Sequence, residues 1–119
     1  MTTELFSLAG RTALITGSSR GLGNAIAGGY AAAGAAVIIN GTDPARVAAA
    51  AQALRGKGHV VHEAPFDVTD EAAVCAAFAR LDAEGIAVDI LVNNAGIQLR
   101  KPLVELSVAE WKRVIDTNL

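Results

Sequence analysis

The sequence Thr-Gly-Ser-Ser-Arg-Gly-Leu-Gly at residues 16–23 places the strongest constraint on the fold of this chain. It follows the apolar run 13–15 and precedes an alanine-rich helical pattern, which together predict a strand, a glycine turn and a helix start. A helix N-terminus leaves backbone N–H groups unpaired and carries the positive end of the macrodipole, so it favours a bound phosphate oxygen. We expect Gly17 to turn the chain sharply, Gly21 to bring backbone close to a pyrophosphate, and Gly23 to let the helix lie tight on its strand.

The spacing Gly-x-x-x-Gly-x-Gly differs from the Gly-x-Gly-x-x-Gly fingerprint and from the Walker pattern, which needs a Lys followed by Ser or Thr. On this motif alone, a turn between strand and helix that binds no ligand remains an alternative.

Length and composition narrow the function classes. The 119 residues, 52% of them hydrophobic, suit a single domain over 1–119 with a real core. Ten basic and twelve acidic residues are interspersed and leave a net charge of −2, so nucleic acid and anionic membrane are poor partners. Neither a long apolar run nor an export signal is present, and we predict a cytoplasmic protein.

The single cysteine, Cys75, excludes an internal disulfide and a cysteine metal cluster. It falls on the apolar stripe of a predicted helix, so we expect a buried, inert thiol. His59 and His62 lie three apart on a predicted strand and face opposite sides, which argues against a shared metal. We therefore expect no metal site.

Apolar runs and helical patterns alternate along the chain. Strands are predicted at 11–16, 36–40, 59–64 and 89–92, and helices at 21–33, 44–55 and 70–84, with a last helix opening at 107. This alternation predicts an α/β fold with right-handed crossovers: a Rossmann-type, doubly wound parallel sheet of strand order 3-2-1-4.

Residues typical of helix ends support these bounds. Gly34 is the predicted C-cap of the first helix, Asp43 the N-cap of the second, and Thr69 or Asp70 the N-cap of the third. The Gly28-Gly29 pair inside the first helix lowers helix propensity and suggests close packing on the sheet or on the cofactor.

Several motifs meet at the carboxyl edge of this sheet, the edge where ligands bind in such folds. They are Thr16-Gly17-x-x-x-Gly21-x-Gly23 after the first strand, Asp67-Val68 after the third, and Asn93-Asn94-Ala95-Gly96 after the fourth. With Asn118 in the last helix, they make the whole chain resemble the short-chain dehydrogenase/reductase family.

The resemblance implies a role for each motif. In that family the glycine loop holds the cofactor pyrophosphate, the Asp67 position bonds the adenine, and the Asn-Asn-Ala-Gly turn lines the cofactor site and braces the sheet. The Asn118 position belongs to a catalytic tetrad, where it holds a water in a proton relay to the catalytic lysine. The alternative for Asn93 and Asn94 is that they only form a turn, because asparagine tolerates the backbone conformations that turns require. The cofactor-binding residues predicted in this way are Gly17, Ser19, Arg20, Gly21, Leu22, Gly23, Asn40, Thr42, Asp67, Val68, Asn94, Ala95 and Gly96.

Finer details look like the gluconate 5-dehydrogenase branch of the family, namely residues 5–10 and Ala95-Gly96-Ile97-Gln98-x-Arg100. This resemblance implies a polyol or sugar-acid substrate. Gln98 and Arg100 would then border the substrate cleft, where a cation could bind a carboxylate. The alternative is that Arg100 and Lys101 are solvated loop charges.

Cofactor choice follows from charge at the end of the second strand. An acidic residue there would bind the ribose 2′-hydroxyl of NAD and repel the 2′-phosphate of NADP. The sequence reads Asn40-Gly41-Thr42 instead, and Arg20 stands where family members that use NADP often carry a basic residue. We predict NADP, with Arg20, Asn40 and Thr42 near the 2′-phosphate. NAD is the alternative if Asp43 turns inward instead of capping its helix.

The family's reaction needs a serine, a tyrosine and a lysine four residues after the tyrosine. The one tyrosine, Tyr30, is followed at that spacing by Gly34. We therefore expect the N-terminal part of a longer dehydrogenase domain, inactive alone and a homotetramer in full form. The alternatives are a non-catalytic nucleotide-binding module, an enzyme like 3-oxoacyl-carrier-protein reductase, or a scaffold whose open strand edge pairs with another chain.

Overall fold

A computed structural model describes residues 7–95, in which parallel strands alternate with helices. Their bounds are β1 Thr12–Ile15, α1 Gly21–Ala32, β2 Ala36–Gly41, α2 Pro44–Arg55, β3 Val61–Pro65, α3 Glu71–Ala83 and β4 Ile90–Val92. The strands pair in parallel in the order β3-β2-β1-β4, which confirms the predicted fold and topology. The helix predicted to open at 107 lies outside the described residues.

The sheet is covered on both faces, because alternate residues of each strand point to opposite sides. On one face Ala13, Ile15, Val37 and Ile39 pack with buried residues of α1 and α2. On the other face a second cluster joins residues of the strands to α3: Leu14, Ile38, Ala64, Phe66, Ala77 and Leu81. The two cores hold the carboxyl ends of the strands at one edge of the sheet.

The helix ends agree with the sequence signals. Asp43 caps α2 by accepting a hydrogen bond at Oδ1 from the N–H of Ala45 at 2.9 Å. Asp70, and not Thr69, caps α3 by accepting from the N–H of Ala73 at 3.1 Å. Gly34 follows the C-cap of α1 with φ +103°, a left-handed conformation that glycine adopts without strain.

Two local predictions are wrong. His59 precedes β3, because its N–H bonds to the carbonyl of Leu54 at 3.4 Å and Gly58 turns the chain with φ +88°. The Gly28-Gly29 pair does not mark close packing on the sheet. Among the described residues, a Cβ on Gly29 would meet nothing within 4 Å, and one on Gly28 would only touch Leu54 at 4.0 Å.

Cys75 is exposed, so the expectation of a buried thiol is also wrong. The buried residues of α3 are Ala77 and Leu81, one helical turn apart. At about 100° per residue, Cys75 lies on the far side of the helix from that pair. The alanines around it match several helical faces, so the pattern alone did not identify the buried one.

The outer edge of β3 carries two arginine side chains. The backbone of β3 pairs with β2 through alternate residues, which leaves the carbonyls of Val61 and Glu63 pointing away. Arg55 of α2 donates to the Val61 carbonyl through Nη2 at 2.7 Å and to the Glu63 carboxylate at 2.9 Å. Arg80 of α3 donates to the Glu63 carbonyl.

Candidate functional site

The glycine loop links the carboxyl end of β1 to the N-terminus of α1. Gly17 and Gly21 have φ values of +63° and +61°, a region that L side chains rarely adopt. A Cβ on Gly17 would lie 2.9 Å from the Cα of Ala95, whereas one on Gly21 would meet nothing within 4 Å among the described residues. Gly17 thus makes the sharp turn that the sequence predicts, and Gly21 faces open space.

Gly23 brings α1 into direct contact with the loop. A Cβ there would lie 2.3 Å from the carbonyl oxygen of Gly17 and 2.5 Å from Nδ2 of Asn94. Both distances are far below van der Waals contact, so the first turn of α1 can sit here only without a side chain.

Thr16 fastens the end of β4 to the end of β1. Its buried Oγ1 accepts hydrogen bonds from the N–H groups of Asn94 at 2.9 Å and Ala95 at 3.0 Å, and donates to the carbonyl of Val92 at 3.3 Å. The Asn94 side chain in turn donates to the Gly17 carbonyl at 3.3 Å. The Asn-Ala turn is therefore held against the glycine loop.

Asn40 differs from the expectation that it lies beside a 2′-phosphate. It is 1% exposed, and its Nδ2 donates to the carbonyls of Ala64 at 2.9 Å and Phe66 at 3.1 Å. Its Oδ1 accepts from the N–H of Gly17 at 3.0 Å. Both amide protons and the carbonyl oxygen of Asn40 thus bond within the protein, which leaves neither amide proton to donate to a phosphate.

These loops enclose a cavity of about 530 Å³ at the carboxyl edge of the sheet. Every predicted cofactor residue within 7–95 lines it: Gly17, Ser19, Arg20, Gly21, Leu22, Gly23, Asn40, Thr42, Asp67, Val68, Asn94 and Ala95. Gly41 and Phe66 also line it and were not predicted. The sequence carried a signal for Gly41, because a glycine within a strand often marks a close approach of a ligand or another backbone. In the structure a Cβ on Gly41 would lie 2.7 Å from Oγ of Ser19.

The cavity is bordered by the N-terminus of α1, which is the positive end of the helix, and by the apolar side chain of Leu22. Among residues 7–95 no side chain caps α1, whose N-cap is Arg20, so its first N–H groups remain available to an anion. Leu22 lines the cavity and is 70% exposed, which offers apolar surface to a planar ring. Asp67 accepts at Oδ1 from the N–H and hydroxyl of Thr69 at 2.9 and 2.7 Å.

Arg20 and Thr42 line the cavity, and Asp67, which follows β3, is the one carboxylate among the lining residues that the structure describes. The nearest acidic residue in sequence, Asp43, points along α2, where its second oxygen lies 3.6 Å from Nε of Arg46. The inward turn that would favour NAD is therefore absent.

Comparisons with known proteins agree with this geometry. The family model for short chain dehydrogenases matches residues 11–119. The chain belongs to the short-chain dehydrogenase family. Gluconate 5-dehydrogenase of Gluconobacter oxydans is 42% identical over 98% of this chain and 45% of its own length. The chain thus spans about half the length of the curated relatives it matches.

Two solved structures of similar proteins share the fold closely. A gluconate 5-dehydrogenase from Burkholderia cenocepacia, in complex with NADP and tartrate, is 44% identical with a TM-score of 0.92, over all of this chain and 47% of its own. A candidate gluconate dehydrogenase from Agrobacterium tumefaciens is 64% identical with a TM-score of 0.92, over 96% of this chain and 45% of its own.

Four residues predicted from the resemblance to short-chain dehydrogenases lie outside the described part of the chain: Gly96, Gln98, Arg100 and Asn118.

Within 7–95, no group of three His, Cys, Asp or Glu side chains could hold a metal ion. None of the helices in that range is long and apolar enough to cross a membrane. Tyr30 packs against the core of α1 and α2.

Proposed function

We propose that this chain is the cofactor-binding part of an NADP(H)-dependent short-chain dehydrogenase that interconverts gluconate and 5-ketogluconate. One observation carries the proposal: a cavity of about 530 Å³ lies at the N-terminus of α1, with Arg20 and Thr42 in its lining and Asp43 turned away to cap α2. This arrangement suits a dinucleotide that carries an additional phosphate.

Different residues of the cavity would bind different parts of the cofactor. The first N–H groups of α1 would hold the pyrophosphate, because no side chain of the described residues caps them and they lie at the positive end of the helix. Arg20, Ser19 and Thr42 would bind the 2′-phosphate, through one cation and two hydroxyls at the rim. Asp67 and Val68 would border the adenine.

When bound, the nicotinamide accepts or supplies the hydride that oxidation of a hydroxyl or reduction of a ketone requires. Thr16 and the Asn94 side chain would keep the neighbouring turn in place while the ring lies near Leu22. Asn118 would hold a water in the proton relay, and Gln98 and Arg100 would border the sugar acid. A cytoplasmic location and a tetramer of the full enzyme remain predictions.

Arg20→Ala tests the cofactor choice. Loss of the cation should raise the Kd of NADPH about tenfold, as expected for one exposed charge-assisted hydrogen bond, and leave that of NADH nearly unchanged. Fluorescence titration of both cofactors measures the ratio. Arg11→Ala is the matched control, since Arg11 is exposed at the opposite edge of the sheet and its loss should leave both values unchanged. An unaltered NADPH/NADH ratio in Arg20→Ala would contradict the assignment.

The chain has no tyrosine followed four residues later by lysine, which favours a second candidate, a nucleotide-binding module without catalysis. Intact mass of the natural polypeptide and assay of gluconate oxidation with NADP separate the two. A longer polypeptide that oxidises gluconate supports the enzyme. A polypeptide of 119 residues that binds NADPH without turnover supports the module. Reduction of 3-oxoacyl thioesters in place of 5-ketogluconate would contradict the proposed substrate.

A further inference from the structure

We propose that Asn40 is a positioning residue that holds the glycine loop after β1 against the end of β3, where the adenine would bind. This role rests on the proposed function above. Asn40 would act through other groups and would not touch the cofactor. It would raise the affinity for NADP and NAD alike, without distinguishing between them.

The side chain of Asn40 bridges two loops that are far apart in sequence. Through Oδ1 it accepts from the N–H of Gly17 at 3.0 Å, in the loop after β1. Through Nδ2 it donates to the carbonyls of Ala64 at 2.9 Å and Phe66 at 3.1 Å, at the end of β3. An asparagine amide supplies both functions from one planar group, whereas a carboxylate has no donor and a hydroxyl is shorter.

The backbone of Asn40 holds the same loop a second time. Its N–H donates to Oγ of Ser18 at 2.9 Å, and its carbonyl accepts from the N–H groups of Ser18 at 2.8 Å and Ser19 at 3.2 Å. Ser18 is fully buried, as Asn40 nearly is, so water has little access to compete for these bonds.

The consequence is a loop shaped before the cofactor arrives. The N–H of Gly17 is already bonded, and the loop is thereby turned so that the N-terminus of α1 faces the cavity. A loop that must be ordered on binding lowers the observed affinity, and a fixed loop avoids that loss. The same amide places Phe66, which lines the cavity directly before Asp67.

The test compares the Kd of NADPH and the Kd of NADH in Asn40→Ala with those of the unaltered protein. Loss of three hydrogen bonds, two of them buried, should raise both values, each by about tenfold or more, and leave their ratio unchanged. Leu54→Ala is the stability control, because Leu54 is buried in the core away from the cavity. It should lower the melting temperature and leave both Kd values of the folded protein unchanged.

Ser18→Ala provides a milder variant if Asn40→Ala does not fold. It removes the acceptor of the Asn40 N–H and should raise both Kd values by a smaller, equal factor. Unchanged Kd values in the folded variant would overturn the proposal, and so would weaker binding of NADPH alone, which would make Asn40 a 2′-phosphate contact. If the unaltered protein binds neither cofactor, the proposed function fails instead.

Discussion

Gly23→Ala should abolish cofactor binding and destabilise the fold by at least about 3 kcal/mol, the upper range for overpacking of a rigid site. The added methyl would lie 2.3 Å from the carbonyl oxygen of Gly17 and 2.5 Å from Nδ2 of Asn94. The Gly17 carbonyl belongs to the backbone of the loop itself, so relief of the clash requires α1 to move away from it. Chemical denaturation and NADPH titration measure the two effects.

Gly29→Ala is the matched control in the same helix. Gly29 lies in the interior of α1, and a Cβ there would meet nothing within 4 Å among the described residues. Alanine is favoured over glycine in a helix by up to about 1 kcal/mol, so this variant should be slightly more stable and bind NADPH normally. If both variants lose stability equally, the cause is not the contact between α1 and the loop.

Thr16→Val should lower the free energy of unfolding by about 2 to 4 kcal/mol. Valine keeps the shape of threonine but leaves the N–H groups of Asn94 and Ala95 without their acceptor, at a cost of about 1 to 2 kcal/mol each because both bonds are only partly buried. Small domains have about 5 to 15 kcal/mol of stability, so the variant should remain folded. NADPH should bind more weakly, because the Asn-Ala turn would no longer be held against the glycine loop.

Thr12→Val is the control for this substitution. Thr12 begins the same strand at the opposite edge of the sheet, and only its backbone is hydrogen bonded among the described residues. The change should alter stability by less than about 0.5 kcal/mol, the usual range away from special contacts. A loss at Thr12 as large as that at Thr16 would show that the hydroxyl bonds of Thr16 are not responsible.

The strand order and the cavity could be predicted because local signals agreed. Apolar runs separated by helical patterns leave few topologies for a parallel sheet, and the ends of the strands then meet at one edge. Gly17 and Gly23 were recognisable because a sharp turn and a close approach both require glycine. The caps Asp43 and Asp70 each act on the next few residues, so their role is readable from sequence alone.

The role of a polar side chain at the end of a strand depends on its contacts with distant parts of the chain. Asn40 has neighbours 23 to 26 residues away in sequence, and its burial follows from the pairing of β2 with β3. A polar residue at the end of a strand reads as a ligand contact until those partners are known. Cys75 shows a different limit, because small residues on several faces of α3 made the buried face ambiguous.

Arg55 and Arg80 cover the outer edge of β3, the strand at one border of the sheet, by donating hydrogen bonds to its outward carbonyls. A strand joining at β3 would need the outward carbonyls of Val61 and Glu63, which Arg55 and Arg80 already occupy. At the opposite border β4 pairs only with β1 among the described residues, and its Leu91 is 55% exposed. Among the described residues, β4 therefore presents the sheet edge whose backbone groups are open to a further strand.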